Sequence, residues 1–234
     1  MRPRRRRWPV VVLTVVVVML TSSIVPVAIL RLWNPPTSAF MLGAQLRAWR
    51  GDDDLNLSYR WQDLEAMSPW IALAVIAAED QKFPRHRGFD VSAIQAAVSE
   101  HRAGRSLRGA STLTQQLAKN LFLWSGRSWL RKGLEAWFTV LLEICLDKSR
   151  ILELYLNVAE FAPGIYGAAS AADRFFELDA AELDPLESAL MASALPNPRI
   201  YRLAQPDAVM RQRQAWILRQ MSQLGGPTYL RSLD

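Results

Sequence analysis

Between Val10 and Leu30 the chain runs for 21 residues without a charged side chain, directly after the cluster Arg2-Pro3-Arg4-Arg5-Arg6-Arg7. As a helix such a run crosses roughly 30 Å of hydrocarbon, the apolar thickness of a bilayer. The arginines predict a cytoplasmic basic tail over residues 1–9, a transmembrane anchor over residues 10–32, and everything after it on the outer side of the membrane. A cleaved signal peptide is the alternative. The run is long for one, and Ala28-Ile29-Leu30 is a poor small-residue cleavage site, so an uncleaved single-pass anchor is favoured.

The rest of the 234 residues suffices for one domain with a core of its own. The single cysteine, Cys145, excludes an intramolecular disulfide and sits in an apolar run, where it reads as a core residue. The formal charge of +6 comes from six arginines within residues 1–33; the remaining 22 basic and 22 acidic residues cancel. They are unevenly placed. Residues 82–132 carry ten bases and two acids, between flanks richer in acid than base. One local basic segment suits an anionic group better than a long groove for a polyanion, and no nucleic-acid partner is expected.

Trp33-Asn34-Pro35-Pro36 reads as a headgroup-level aromatic and a stiff linker, the start of a lead-in arm over residues 33–60. The chain then reads as nearly all helix. Ser68-Pro69 opens a helix to about Asp80, and Asp90 caps one over Val91 to Arg102. Thr112 starts one to about Leu121, Ser128 a long one over Trp129 to Leu146, and Ser149 one over Arg150 to Asn157. Ile165 to Phe176, Leu186 to Leu195 behind Asp184-Pro185, and Ala208 to Leu224 complete the series. No window alternates with period two for long, so a mainly α fold without a sizeable sheet is expected. In residues 102–130 the aromatic and leucine residues Leu121 to Trp124, Trp129 and Leu130 fit a buried loop or a second contact with the bilayer, with Arg105, Arg108 and Arg127 at headgroup level.

Two carboxylates carry the candidate chemistry. Glu79 ends an apolar helix just before Lys82, Arg85, His86 and Arg87, a costly place for a charge unless something uses it. The same spacing also fits a helix end with solvated charges. Glu135 follows Arg131 and Lys132 at helical spacing, which by itself describes a surface ion pair. Two carboxylates at a sugar site suit glycosidic chemistry. A departing sugar alkoxide needs a proton, whereas a departing diphosphate needs only cations or a metal. The basic segment offers cations and no dedicated metal-ligand cluster, so one general base with a basic cradle fits transfer from a sugar diphosphate. His86 reads as orienting the Glu79 loop rather than binding metal. Ser111 and Thr112 at a helix start offer an anion site, and Gln115 and Gln116 suit sugar hydroxyls or N-acetyl groups.

Glu79-Asp80-x-x-Phe83-x-x-His86-x-Gly88-x-Asp90, Gly109-x-Ser111-Thr112-x-x-Gln115-Gln116-x-x-Lys119-Asn120, Arg131-Lys132-x-x-Glu135 and Lys148-x-x-Ile151-Leu152-Glu153-x-Tyr155-Leu156-Asn157 resemble, in order and spacing, the motifs of the peptidoglycan glycosyltransferases (glycosyltransferase family 51). The match covers about residues 60–225 and points to the monofunctional, single-anchor kind of Gram-negative bacteria. One departure is Ala162-Pro163-Gly164, where a glycine more often follows the phenylalanine.

The resemblance implies a lysozyme-like helical catalytic lobe within residues 61–234 and a smaller lobe that touches the membrane. It implies a periplasmic domain on the bacterial inner membrane, with lipid II as acceptor and an undecaprenyl-diphosphate-linked glycan as donor. On this chain Glu79 is then the base for the acceptor 4-hydroxyl of N-acetylglucosamine, and attack inverts the donor carbon to a β-1,4 linkage. Glu135 is the second candidate catalytic residue. Lys119, Arg127, Arg131 and Lys132 line the diphosphate side, Ser111, Gln115 and Gln116 hold sugar or phosphate, and Asp80 and His86 complete the candidate substrate-binding set. Tyr155 and Asn157 are expected to support the fold beneath. No cofactor is required, though a divalent cation (Mg2+ or Mn2+) at the diphosphate is compatible with the pattern. Other cell-wall synthesis or division proteins are candidate partners. A lytic glycosidase and a non-catalytic cell-wall scaffold are the alternatives.

Overall fold

The computed structural model describes residues 8–51, 57–102, 111–126 and 128–233. Its first element is α1, Trp8–Ile29, whose stretch Val10–Ile29 is long and apolar enough to cross a membrane. Most of α1 is bare, as lipid-facing residues are. Ser23, Val27 and Leu30, four and three residues apart, are buried, and α1 packs beside α6 (Trp129–Cys145).

The junction after α1 is held by one side chain. Arg150 donates from Nε to the Leu30 carbonyl at 2.8 Å and from Nη2 to the Trp33 carbonyl at 3.1 Å and Asn34 Oδ1 at 2.8 Å. Its Nη1 meets Glu153 at 2.5 Å, and its guanidinium lies 5.3 Å from the Trp61 ring centroid. Residues 39–49, read from sequence as part of a lead-in arm, form a helix, α2 (Ala39–Trp49). Ser38 caps it by accepting from Met41 N, and Met41 and Ala44 are its buried residues. Amphipathic spacing overrides the linker character of the preceding prolines.

The domain is mainly α-helical, with packing centred on α3, Pro69–Glu79. Ser68 caps it, proline occupies the first turn, and every side chain from Ile71 to Ala77 is buried. A helix apolar all round must be covered all round. Here α9 (Pro185–Ala194), α10 (Ala208–Gln223) and the 3-10 segment Gly226–Leu233 cover it. A second group packs α5 (Leu113–Phe122) between α6 and α7 (Lys148–Val158). The helix α4 (Val91–Arg102) begins after Asp90, whose Oδ1 accepts from Ala93 N at 2.9 Å.

One expected helix starts late. Ile165–Tyr166 is β3, the middle strand of a small sheet ordered β1-β3-β2, parallel to β1 (Ser58–Tyr59) and antiparallel to β2 (Glu160–Ala162). The helix α8 (Ala168–Phe176) begins only after Gly167, at φ +86°, where a Cβ would lie 2.8 Å from the Asn157 carbonyl oxygen. The departure at Ala162-Pro163-Gly164 forms the β2–β3 turn, with Gly164 at φ +75° and its carbonyl accepting from Ser58 N at 2.8 Å. Asn157, fully buried, exchanges two hydrogen bonds of 2.9 Å with the Gln62 backbone and ties the lead-in segment to α7.

Candidate active site

The last turn of α3 presents two adjacent carboxylates, and leaving the helix sends them apart. Asp80 sits at φ −160°, ψ 74° and turns inward, 7 % exposed. Its Oδ2 accepts from Leu113 N, the first residue of α5, at 3.0 Å, and both its oxygens meet His86 Nε2 at 2.9 and 3.0 Å. A carboxylate at a helix N-terminus is favoured by the unpaired amides and the dipole there. Asp80 and His86 thus join α3, the following loop and α5, and Asp80 also lines the cleft into which Glu79 faces. Gly88, at φ +82°, brings that loop against α6, and its carbonyl accepts from Thr112 Oγ1 at 2.6 Å.

Glu79 faces the other way. Its side chain is 11 % exposed and lies in a cleft of about 600 Å³ lined by Lys82, Ser111, Gln116, Arg213 and Trp216 among others. Oε2 accepts from Gln116 Nε2 at 2.8 Å and Oε1 from Arg213 Nη2 at 3.1 Å. Gln116 is fixed in turn because Tyr155 OH donates to its Oε1 at 2.9 Å. Burial and the nearby Glu79 and Asp80 charges push the Tyr155 hydroxyl well above its ordinary pKa, so it stays a donor. A carboxylate held by two donors keeps further lone pairs open to the cleft, as a base needs.

Neighbouring residues on α5 divide sharply. Thr112 and Gln115 form a capping box: Gln115 Oε1 accepts from Thr112 N at 3.0 Å, and Thr112 Oγ1 accepts from Gln115 N at 3.3 Å. Gln115, 5 % exposed, thus spends its side-chain oxygen on the helix cap, and the Thr112-x-x-Gln115 spacing carries that signal in the sequence. Ser111 is exposed on the cleft wall.

Lys119 lies one turn beyond Gln116. Burial lowers its pKa, an effect opposed first by the Glu135 charge and also by Glu79, so its ammonium stands within electrostatic range of both carboxylates. Its Nζ is 5.5 Å from the centroid of the Phe40 ring on α2. The Glu135 side chain is 4 % exposed, so the surface ion pair expected from spacing is instead a buried carboxylate held by a mostly buried Arg131 and a half-exposed Lys132. Arg131 Nη1 donates to Glu135 Oε2 at 2.8 Å and Lys132 pairs with Oε1. The reason is tertiary: Glu135 lies on the face of α6 that α5 covers.

The structure thus gathers Glu79, Ser111 and Gln116 in one cleft, and Arg131, Lys132 and Glu135 in a cationic cluster, with Lys119 between. Arg127 lies outside the described residues, as do Arg105 and Arg108. Sequence reasoning missed Arg213 and Trp216, more than 130 positions from Glu79, since only tertiary packing brings α10 there. Among the described residues no three His, Cys, Asp or Glu side chains gather as a metal site, and both Glu135 oxygens already face cations.

Comparison with known proteins places the chain in a family. The family model described as Transglycosylase matches residues 52–222. A biosynthetic peptidoglycan transglycosylase of Xanthomonas oryzae pv. oryzae is 51 % identical over 229 residues, 97 % of this chain and 94 % of the relative. Proteins of the same name from Pseudomonas putida and Xylella fastidiosa are 51 % and 48 % identical, over 91 % and 96 % of this chain and 90 % and 94 % of their own lengths. With a model spanning most of the sequence and near-full-length relatives at about half identity, the chain belongs to the transglycosylase family.

Proposed function

We propose that this transglycosylase polymerises peptidoglycan at the outer face of the bacterial inner membrane, moving an undecaprenyl-diphosphate-linked glycan onto the 4-hydroxyl of the N-acetylglucosamine of lipid II. The observation that carries the reading is the pairing of a low-exposure carboxylate, Glu79, with a separate cationic cluster on α6, with Lys119 of α5 in electrostatic range of both. Glu79 takes the acceptor hydroxyl proton. The freed oxygen pair forms the bond to the donor anomeric carbon on the face opposite the diphosphate. The carbon–oxygen bond to the diphosphate breaks with its pair going to phosphate, so the configuration inverts to β-1,4. Lys119, Arg131 and Lys132 supply positive charge where the leaving group gathers negative charge. Glu135 holds Arg131 and Lys132 in place. The anchor α1 keeps the cleft beside lipid-borne substrates, and exposed Trp129 and Leu130, at 93 % and 70 %, suit a second contact with the bilayer.

The glycosidase alternative needs a second carboxyl group able to protonate a sugar oxygen. Glu135 is committed to two cations, and Asp80 to Leu113 N and His86. Diphosphate departure requires no such acid, which favours transfer. The test is polymerisation of labelled lipid II by the purified full chain. Glu79→Gln is expected to lower turnover by about 10²–10⁴. A fully active Glu79→Gln would remove the base, and an inert wild type that instead cleaves purified sacculi would install the glycosidase. Full complementation in cells by a polymerisation-dead variant would favour a scaffold. Adding a chelator to the same assay tests for a divalent cation at the diphosphate.

A further inference from the structure

We propose that Arg213 of α10 is a positioning residue that holds the Glu79 carboxylate in its reactive rotamer; this rests on the reading of Glu79 as the base. Arg213 Nη2 lies 3.1 Å from Glu79 Oε1, while Gln116 of α5 holds Oε2 at 2.8 Å. A glutamate at a helix end has three side-chain torsions to settle, and one hydrogen bond leaves the carboxylate free to swing about it. Donors from two different helices, one on each oxygen, fix its plane.

The guanidinium has no competing engagement. Among the described residues Glu79 is its one hydrogen-bond acceptor, and its buried Nε has no partner. A surface arginine that merely decorates a helix spreads its donors over water and neighbours. This one is 31 % exposed beside a carboxylate that is 11 % exposed, where its charge offsets the cost of keeping an anion from water.

The frame around the pair stands without it. The helix α10 packs along α3 and α9. Gln81 Nε2 donates to Gln220 Oε1 at 3.0 Å, and Tyr229 OH donates to the Gln81 carbonyl at 2.6 Å. Removing the guanidinium therefore frees the carboxylate while α10 stays docked.

The experiment is a double-mutant cycle in lipid II polymerisation, using the full chain in detergent or vesicles. Arg213→Ala is expected to lower kcat about 10–100-fold with KM within about threefold, because misplacing a reacting group by about 1 Å can cost about a hundredfold. In a Glu79→Gln background the same change is expected to cost nothing further, since a residue acting through Glu79 has nothing left to hold. Added guanidinium ion should restore part of the Arg213→Ala turnover. Wild-type kcat in Arg213→Ala, or losses that multiply in the double variant, would overturn the inference while leaving Glu79 as base. An active Glu79→Gln single variant would instead sink the underlying reading. If Arg213→Ala does not fold, Arg213→Gln, which keeps the stem and drops the charge, carries the same expectations and is overturned by the same results.

Discussion

Asp80 offers a quantitative test of the division of labour between the two adjacent carboxylates. Truncation in Asp80→Ala leaves two donors without their acceptor: the buried Leu113 N–H and His86 Nε2. Each orphaned buried donor costs about 1–3 kcal/mol, and the lost anion at the start of α5 adds about 0.3–1 kcal/mol. The expected destabilisation is about 2–7 kcal/mol. At about 2–4 °C per kcal/mol for a domain of this size, the melting temperature falls by roughly 4–28 °C. Asp80→Asn keeps an acceptor for Leu113 N–H, so it should lose about half as much. Thermal unfolding followed by near-ultraviolet circular dichroism in detergent measures both, alongside lipid II turnover. Turnover is expected to fall with stability and to recover in part below the new melting point. An Asp80→Ala protein that melts with the wild type yet does not turn over would refute the reasoning, and would return Asp80 to direct contact with substrate.

Other outcomes follow from the same geometry. Gly88→Ala places a Cβ 2.6 Å from Thr139 Cγ2 at φ +82°, so urea unfolding should show a loss of about 2–4 kcal/mol; a neutral result would mean that the loop sits elsewhere. Arg131→Ala removes one of two cations from Glu135, which keeps Lys132, and should destabilise by about 1–3 kcal/mol in the same measurement. Burial lowers the Lys119 pKa, so its charged form disappears at a pH below the ordinary lysine range. Between the folded and unfolded values the unfolded chain binds more protons, so this group's contribution to stability rises with pH while its contribution to diphosphate binding falls. The basic limb of the rate profile should therefore move to higher pH in Lys119→Arg; an unmoved limb would acquit Lys119.

The helix series was legible because its signals are local. Ser68-Pro69, Asp184-Pro185, Ser128 and Thr112 each sit within four residues of the amides they cap. The α2 helix was masked by the neighbouring prolines although Ser38 carries a cap signal, and β3 was hidden because its pairing needs Ser58–Tyr59, more than 100 residues away. The candidate site was legible where chemistry is tied to spacing, as with Glu79, Gln116 and the Arg131-Lys132-Glu135 triad. It was illegible where side-chain direction decides. Helix periodicity does not say that Asp80 turns inward while Glu79 turns outward, that α5 covers Glu135, or that α10 brings Arg213 across the cleft.

The grip of Arg150 on the Leu30 and Trp33 carbonyls and the Asn34 amide leaves no swivel between the end of α1 and α7. On the proposed reading, with α1 as the anchor, the mouth of the enzyme would stand at a set height above the bilayer, like a tool bolted to its bench, and the product strand would be the part that moves.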